Sequence, residues 1–169
     1  MIKLFAFDID GVLTDGRLYY GANGEEEGLK VFNAQDGLGL SLLRQSGVIL
    51  AAISGRATSA TRKRLDDLGV HHIVLGTKAK KLALENILNE TGISGAETAF
   101  MGDDLIDLPA MTMVSLAMAP ANAVNQVKQA AQFVTTNKGG EGAVRVAAEH
   151  ILTLNQVNLL DLLNSNLQQ

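Results

Sequence analysis

The sequence predicts an α/β fold in which a mainly parallel, doubly wound sheet carries helices on both faces. Two observations predict it. Short apolar runs rich in β-formers alternate with segments of helical spacing, the pattern of a parallel sheet covered on each side. Acidic and hydroxyl residues then recur where those runs stop, and in such sheets ligands bind beyond the carboxyl ends of the strands.

The elements follow in order. "KLFAFDI" opens as a strand, followed by "VILAAIS" at 48–54, "HHIVL" at 71–75, "TAFMG" at 98–102 and "VSLAM" at 114–118. Between them, "DGLGLSLLRQSG", "TSATRKRLDDLG", "KAKKLALENILNETG" and "LIDLPAMTMV" have helical spacing or composition, and the first three end at a glycine suited to a C-cap. Residues 16–33 break the alternation. There, two β-rich runs flank Ala22-Asn23-Gly24, which predicts a β-hairpin flap. The intervals from Asp8 to Ser54 and from Ser54 to Lys80 are too short for an inserted cap domain. Residues 1–169 are therefore expected to form a single domain, with 155–169 as a short amphipathic helix and polar tail.

Composition narrows the function. The chain has 169 residues, 47% of them hydrophobic, enough for one well-buried core. Its net charge is −4 and its Lys and Arg residues are scattered, which argues against a nucleic-acid or acidic-membrane surface. It has no cysteine, so thiol nucleophiles and thiolate metal sites are excluded and any metal must use oxygen or imidazole donors. His71, His72 and His150 lack metal-ligand spacing. With no signal-like h-region and no long apolar run, the chain reads as a soluble cytoplasmic protein.

Asp8 and Asp10 stand at i and i+2, which on an extended chain points both carboxylates to one side. Like charges so close are tolerated at a strand end chiefly around a cation, and Mg²⁺ accepts carboxylate, water and phosphate oxygens together. "GDDLID" adds Asp103, Asp104 and Asp107. "SGR" supplies the Ser54 hydroxyl and the strand-end amides of Gly55 and Arg56, and "KAKK" puts Lys78, Lys80 and Lys81 at a helix start. An oxygen nucleophile, a cation and a proton donor are what phosphoryl transfer requires.

DxDGxxTDG, SGR, a lysine and GDDxxD in this order resemble the haloacid dehalogenase superfamily. "LKVFNAQDGLG" at 29–39 and "GGEGAVR" at 139–145 are similar to its capless sugar-acid phosphatases that act on 3-deoxy-D-manno-octulosonate (KDO) 8-phosphate. The resemblance implies a phosphatase of lipopolysaccharide precursor synthesis. In it Asp8 attacks phosphorus and Asp10 serves as acid and then base, Ser54 holds the phosphoryl group, and Lys80 neutralises charge. Mg²⁺ would be held by Asp8, the Asp10 carbonyl and Asp103, with Asp104 or Asp107 as outer support. It also implies a homotetramer that closes the site around the flap, with Leu18, Tyr19, Leu29 and Val31 partly at the interface. Arg56 and Arg145 are candidates for the sugar carboxylate, since guanidinium binds carboxylates in bidentate fashion, and Asn33 and Asp36 for the hydroxyls.

Two other readings stay open. Glu141 stands where KDO 8-phosphate phosphatases commonly carry arginine, a form similar to relatives acting on nine-carbon acids such as KDN or N-acetylneuraminate 9-phosphate. A catalytically silent interaction module is the other reading.

Overall fold

A computed structural model of the chain describes residues 1–23 and 29–166. Among the described residues, six strands form one sheet: β1 (Leu4–Phe7), β2 (Ile49–Ser54), β3 (His72–Leu75), β4 (Thr98–Met101), β5 (Leu116–Ala119) and β6 (Phe133–Val134). Their order is β3-β2-β1-β4-β5-β6 and every pairing is parallel. The helices are α1 (Ala34–Gln45), α2 (Ser59–Asp67), α3 (Lys80–Thr91), α4 (Leu108–Met111), α5 (Asn125–Ala130), α6 (Ala143–Leu154) and α7 (Leu159–Asn166). The doubly wound parallel sheet expected from the sequence is borne out.

Strand alternation divides the core between the two faces. Phe5, Phe7, Leu50 and Met101 pack with Leu40 and Leu43 of α1, Leu65 of α2 and Val144 and Ile151 of α6. Their neighbours Leu4, Ala6, Ile53 and Phe100 pack the other way, with Leu84 and Ile87 of α3, Met111 of α4 and Val127 of α5. Each fully buried Phe or Leu contributes about 1.5–3 kcal/mol, so two-sided burial makes the sheet a rigid platform. Among the described residues no helix is long and apolar enough to cross a membrane.

The register aligns the ends that matter. Phe7 pairs with Ala52 on one side and Met101 on the other, so the chain leaving β1 emerges between the carboxyl ends of β2 and β4. The strand order also reverses direction at β1, the switch point where open α/β sheets leave a crevice.

One region departs from expectation. The stretch between β5 and residue 155 holds α5, β6 and α6, none of which was expected as an element. The tip of the hairpin expected at 16–33 lies outside the described residues. Its described part has a turn at Ala22-Asn23 and a single bridging position at Tyr20. Residue by residue, Leu29 and Val31 are 61% and 57% exposed, whereas the Lys30 side chain between them is 6% exposed. Helix α2 is capped by Thr58, its hydroxyl accepting from Thr61 N at 3.2 Å.

Candidate active site

The loop after β1 is built on one carbonyl. The amides of Val12, Leu13 and Thr14 all donate to Ile9 O at 2.9–3.2 Å, while Val12 and Leu13 bury their side chains beneath. Asn122 braces the loop, donating through Nδ2 to Gly11 O at 3.0 Å and accepting from Gly139 N at 2.6 Å. Gly11 has φ +87°, and a Cβ there would lie 2.0 Å from Asp103 Oδ2. Glycine is thus required both for the turn and for the approach of the second acidic strand end.

Asp8 is nearly buried, with Oδ1 accepting from Ile9 N at 2.7 Å and Oδ2 lying 2.7 Å from Lys80 Nζ. Lys80 opens α3 with a fully buried side chain and donates equally to Asp107 Oδ1 at 2.6 Å. Asp107 in turn accepts through Oδ2 from the amides of Asp103 (3.0 Å) and Asp104 (3.2 Å), fixing the loop after β4. One ammonium therefore ties together two strand-end loops and a helix.

The charges do not balance. Ligand atoms of Asp8, Asp103 and Asp107 lie within 4.8 Å of one another, with one lysine among them. Burial first, then the Asp107 charge, pushes Asp8 up to about 6 against the pull of Lys80. Burial, Asp8 and Asp107 push Asp103 up to about 7. Burial alone would depress Lys80, but Asp8 and Asp107 outweigh it and raise it. A cluster of carboxylate oxygens that resists its own ionisation fits a hard divalent cation, with Asp8 and Asp103 as the ligands. Both oxygens of Asp107 are already engaged, which suits outer support.

An open cavity of about 290 Å³ lies above the cluster, lined by Asp8, Asp10, Ser54, Arg56, Lys78 and Asp103 among others. Gly55 is also in its wall. The Ser54 hydroxyl accepts from Arg56 N at 3.3 Å. Asp10 turns its carboxylate away from the cluster toward the rim, with Oδ1 2.5 Å from Lys30 Nζ and Oδ2 3.9 Å from Arg56 Nε. Of the lysines at the start of α3, Lys80 is the one buried against Asp8. Lys78 lines the rim, and Lys81 lies on the exposed face 3.9 Å from Glu85.

Four candidates have other employment. Asp36 is fully buried and accepts from Arg145 N at 2.8 Å and Gly142 N at 3.3 Å, capping α6 from α1, so it does not face a substrate hydroxyl. Asn33 caps α1, accepting from Gln35 N at 2.7 Å. Arg145 pairs with Glu149 one turn along α6 at 2.6 Å, outside the cavity wall. Asp104 is exposed and caps the turn after β4 through Leu105 N at 2.7 Å, outside the acidic cluster but in the wall of the same cavity. The sequence had pointed to neither Lys30 nor Asn122. An alternating apolar run that carries a lysine between Leu29 and Val31 was the available signal for the first.

Residues 72–146 match the family described as haloacid dehalogenase-like hydrolase. The chain is 40% identical over 151 residues to the KDO 8-phosphate phosphatase of Haemophilus influenzae, covering 89% of this chain and 83% of that protein. The chain belongs to the KDO 8-phosphate phosphatases. Two solved structures of this family agree. The Moraxella catarrhalis phosphatase, in complex with magnesium, phosphate and KDO, superposes with a TM-score of 0.85 at 42% identity, covering 90% of this chain and 86% of that one. The cobalt-bound Haemophilus influenzae phosphatase also gives 0.85, at 39% identity with 90% and 88% covered. The KDO 8-phosphate phosphatase resemblance carried by the motifs is thus borne out.

Proposed function

We propose that this protein is a Mg²⁺-dependent phosphatase that hydrolyses KDO 8-phosphate to KDO and phosphate. The observation that carries this reading is the Asp8 carboxylate, held by Lys80 beside Asp103 at the floor of an open cavity, with Asp10 two residues on at its rim. Asp8 and Asp103 would hold the magnesium with the Asp10 carbonyl, and Asp107 orients the loop that carries Asp103. The bound ion supplies positive charge that offsets the repulsion between carboxylate and phosphate.

A carboxylate oxygen of Asp8 forms a bond to phosphorus as the ester P–O bond breaks. Asp10 gives its proton to the departing alkoxide. Water then attacks the aspartyl-phosphate, its proton passes to Asp10, and the bond from phosphorus to Asp8 breaks to release phosphate. Lys80 keeps Asp8 oriented through both steps, while Ser54 and the amides of Gly55 and Arg56 hold the phosphoryl oxygens. Arg56 is the candidate for the sugar carboxylate.

The assembly we propose is a cytoplasmic homotetramer serving lipopolysaccharide precursor synthesis. The exposed side chains of Leu18, Tyr19, Tyr20, Leu29 and Val31, five large apolar groups within one short segment, support association. A monomer by light scattering would remove that part.

The test is phosphate release from KDO 8-phosphate, nine-carbon sugar-acid 9-phosphates and hexose phosphates, with Mg²⁺ or EDTA. KDO 8-phosphate is expected to be preferred, with Asp8→Asn losing at least about 10⁴-fold. Preference for a 9-phosphate would transfer the assignment to the nine-carbon acids. Glu141, the residue that favours them, lines a neighbouring hollow with Asp15 and Arg17 rather than the cavity at Asp8. No turnover of any phosphate would leave the interaction module.

A further inference from the structure

The two acids of the first motif are held by different means. Asp8 is fixed by its own neighbour's amide and a fully buried lysine. Asp10 has a side chain 22% exposed, and Lys30 Nζ meets its Oδ1 at 2.5 Å. Arg56 Nε stands 3.9 Å from the other oxygen on a side chain 43% exposed, beyond hydrogen-bond reach and screened by water.

We propose that Lys30 is a positioning residue for Asp10, aiming the carboxylate that carries the proton in phosphoryl transfer. This rests on the reading of Asp8 as nucleophile and Asp10 as proton carrier. The Lys30 side chain is 6% exposed between the exposed Leu29 and Val31, so its ammonium is withdrawn from water and directed inward. An ammonium in that setting is held against an opposite charge, so Lys30 fixes the place of the ionised Asp10 carboxylate, which takes up a proton there before delivering it to the leaving oxygen. A general acid must sit within hydrogen-bond reach of the leaving oxygen, and misplacement by about 1 Å can cost about 10²-fold. The carboxylate on the rim has that requirement and Lys30 meets it. Lys30 stands three positions before the α1 cap Asn33, so the described end of the flap is anchored by a rigid helix.

The test exploits the leaving group. A sugar alkoxide needs a proton to depart, whereas p-nitrophenolate leaves as a stable anion, and kcat/KM reports only events up to formation of the phospho-enzyme. Lys30→Met is expected to lower kcat/KM for KDO 8-phosphate by about 10–10²-fold, while the value for p-nitrophenyl phosphate stays within about 3-fold, and Lys30→Arg recovers part of the loss. In an Asp10→Asn background, Lys30→Met should cause no further loss, because its effect passes through Asp10. Equal losses on both esters, or a full additional loss in the double variant, would overturn the proposal and make Lys30 a structural or sugar-binding residue. A wild-type enzyme inert toward both esters would instead remove the reading on which the proposal rests.

Discussion

Asp36 and Asp103 are both withdrawn from water at the end of a connection, and burial is the largest influence raising each of them. They differ in what burial brings with it. Around Asp36 the backbone amides of Arg145, Gly142 and Val144 all favour the ionised form, so the carboxylate is a cap between two helices and complete as it stands. Around Asp103 the next influences are Asp8 and Asp107, which push it further up, to about 7. A buried acid among amides is structural, whereas a buried acid among acids is incomplete without a cation. The same residue type in two buried places thus acquires two functions, and its neighbours decide which.

The largest effect that tests this contrast is on turnover. Asp103→Asn is expected to lower kcat/KM by about 10³-fold or more through loss of metal-supported charge stabilisation. Its unfolding midpoint in EDTA should hold or rise, since one repelling charge has gone. Asp36→Ala should do the reverse. It leaves two amides of α6 unsatisfied and should cost about 1–3 kcal/mol in urea unfolding, with kcat little changed. If either variant lost activity and stability together, the contrast would fail.

The smallest and most diagnostic effect is in pH. Asp8 and Asp103 are raised from 3.8 to about 6 and about 7, so between those limits the folded state binds more protons than the unfolded. Stability of the metal-free protein through these groups therefore falls as pH rises from 3.8 and levels off above about 7. Mg²⁺ favours the ionised pair, so the stabilisation it confers should grow over the same window and then level off. Thermal midpoints with Mg²⁺ and with EDTA give that difference directly, and a difference independent of pH would count against Asp8 and Asp103 as the ligands.

What the sequence disclosed follows the same division. Asp8, Asp10, Ser54 and Asp103 stand out because their chemistry demands particular residue types at strand ends, and the strand ends are visible as short apolar runs, whereas Lys80 at the start of α3 is singled out among three lysines only by the family resemblance. The contacts of Asp36 and Arg145 are not legible in the sequence, because an acid near a helix start and an arginine after a glycine pair do not reveal what their helices dock against. The amides that occupy Asp36 lie 106 and 109 positions further on. Helix α6 carries its signal openly, with Val144, Ala147, Ala148, Ile151 and Leu152 at i, i+3, i+4, i+7 and i+8. Strand β6 has two residues and offers no period to detect.

The brace on the first acidic loop has a consequence for how the enzyme comes into being. Asp8 and Asp10 leave the ribosome well before the residues that brace their loop: the Asn122 side chain that supports Gly11 arrives 111 positions later, and the Gly139 and Gly140 amides that complete the contact later still. At about 5–20 residues per second, Asp8 waits roughly 5–25 s for its scaffold. A nascent chain thus carries the acidic motif before it has the architecture to hold it, and the loop is fully braced only once Asn122, Gly139 and Gly140 have been made.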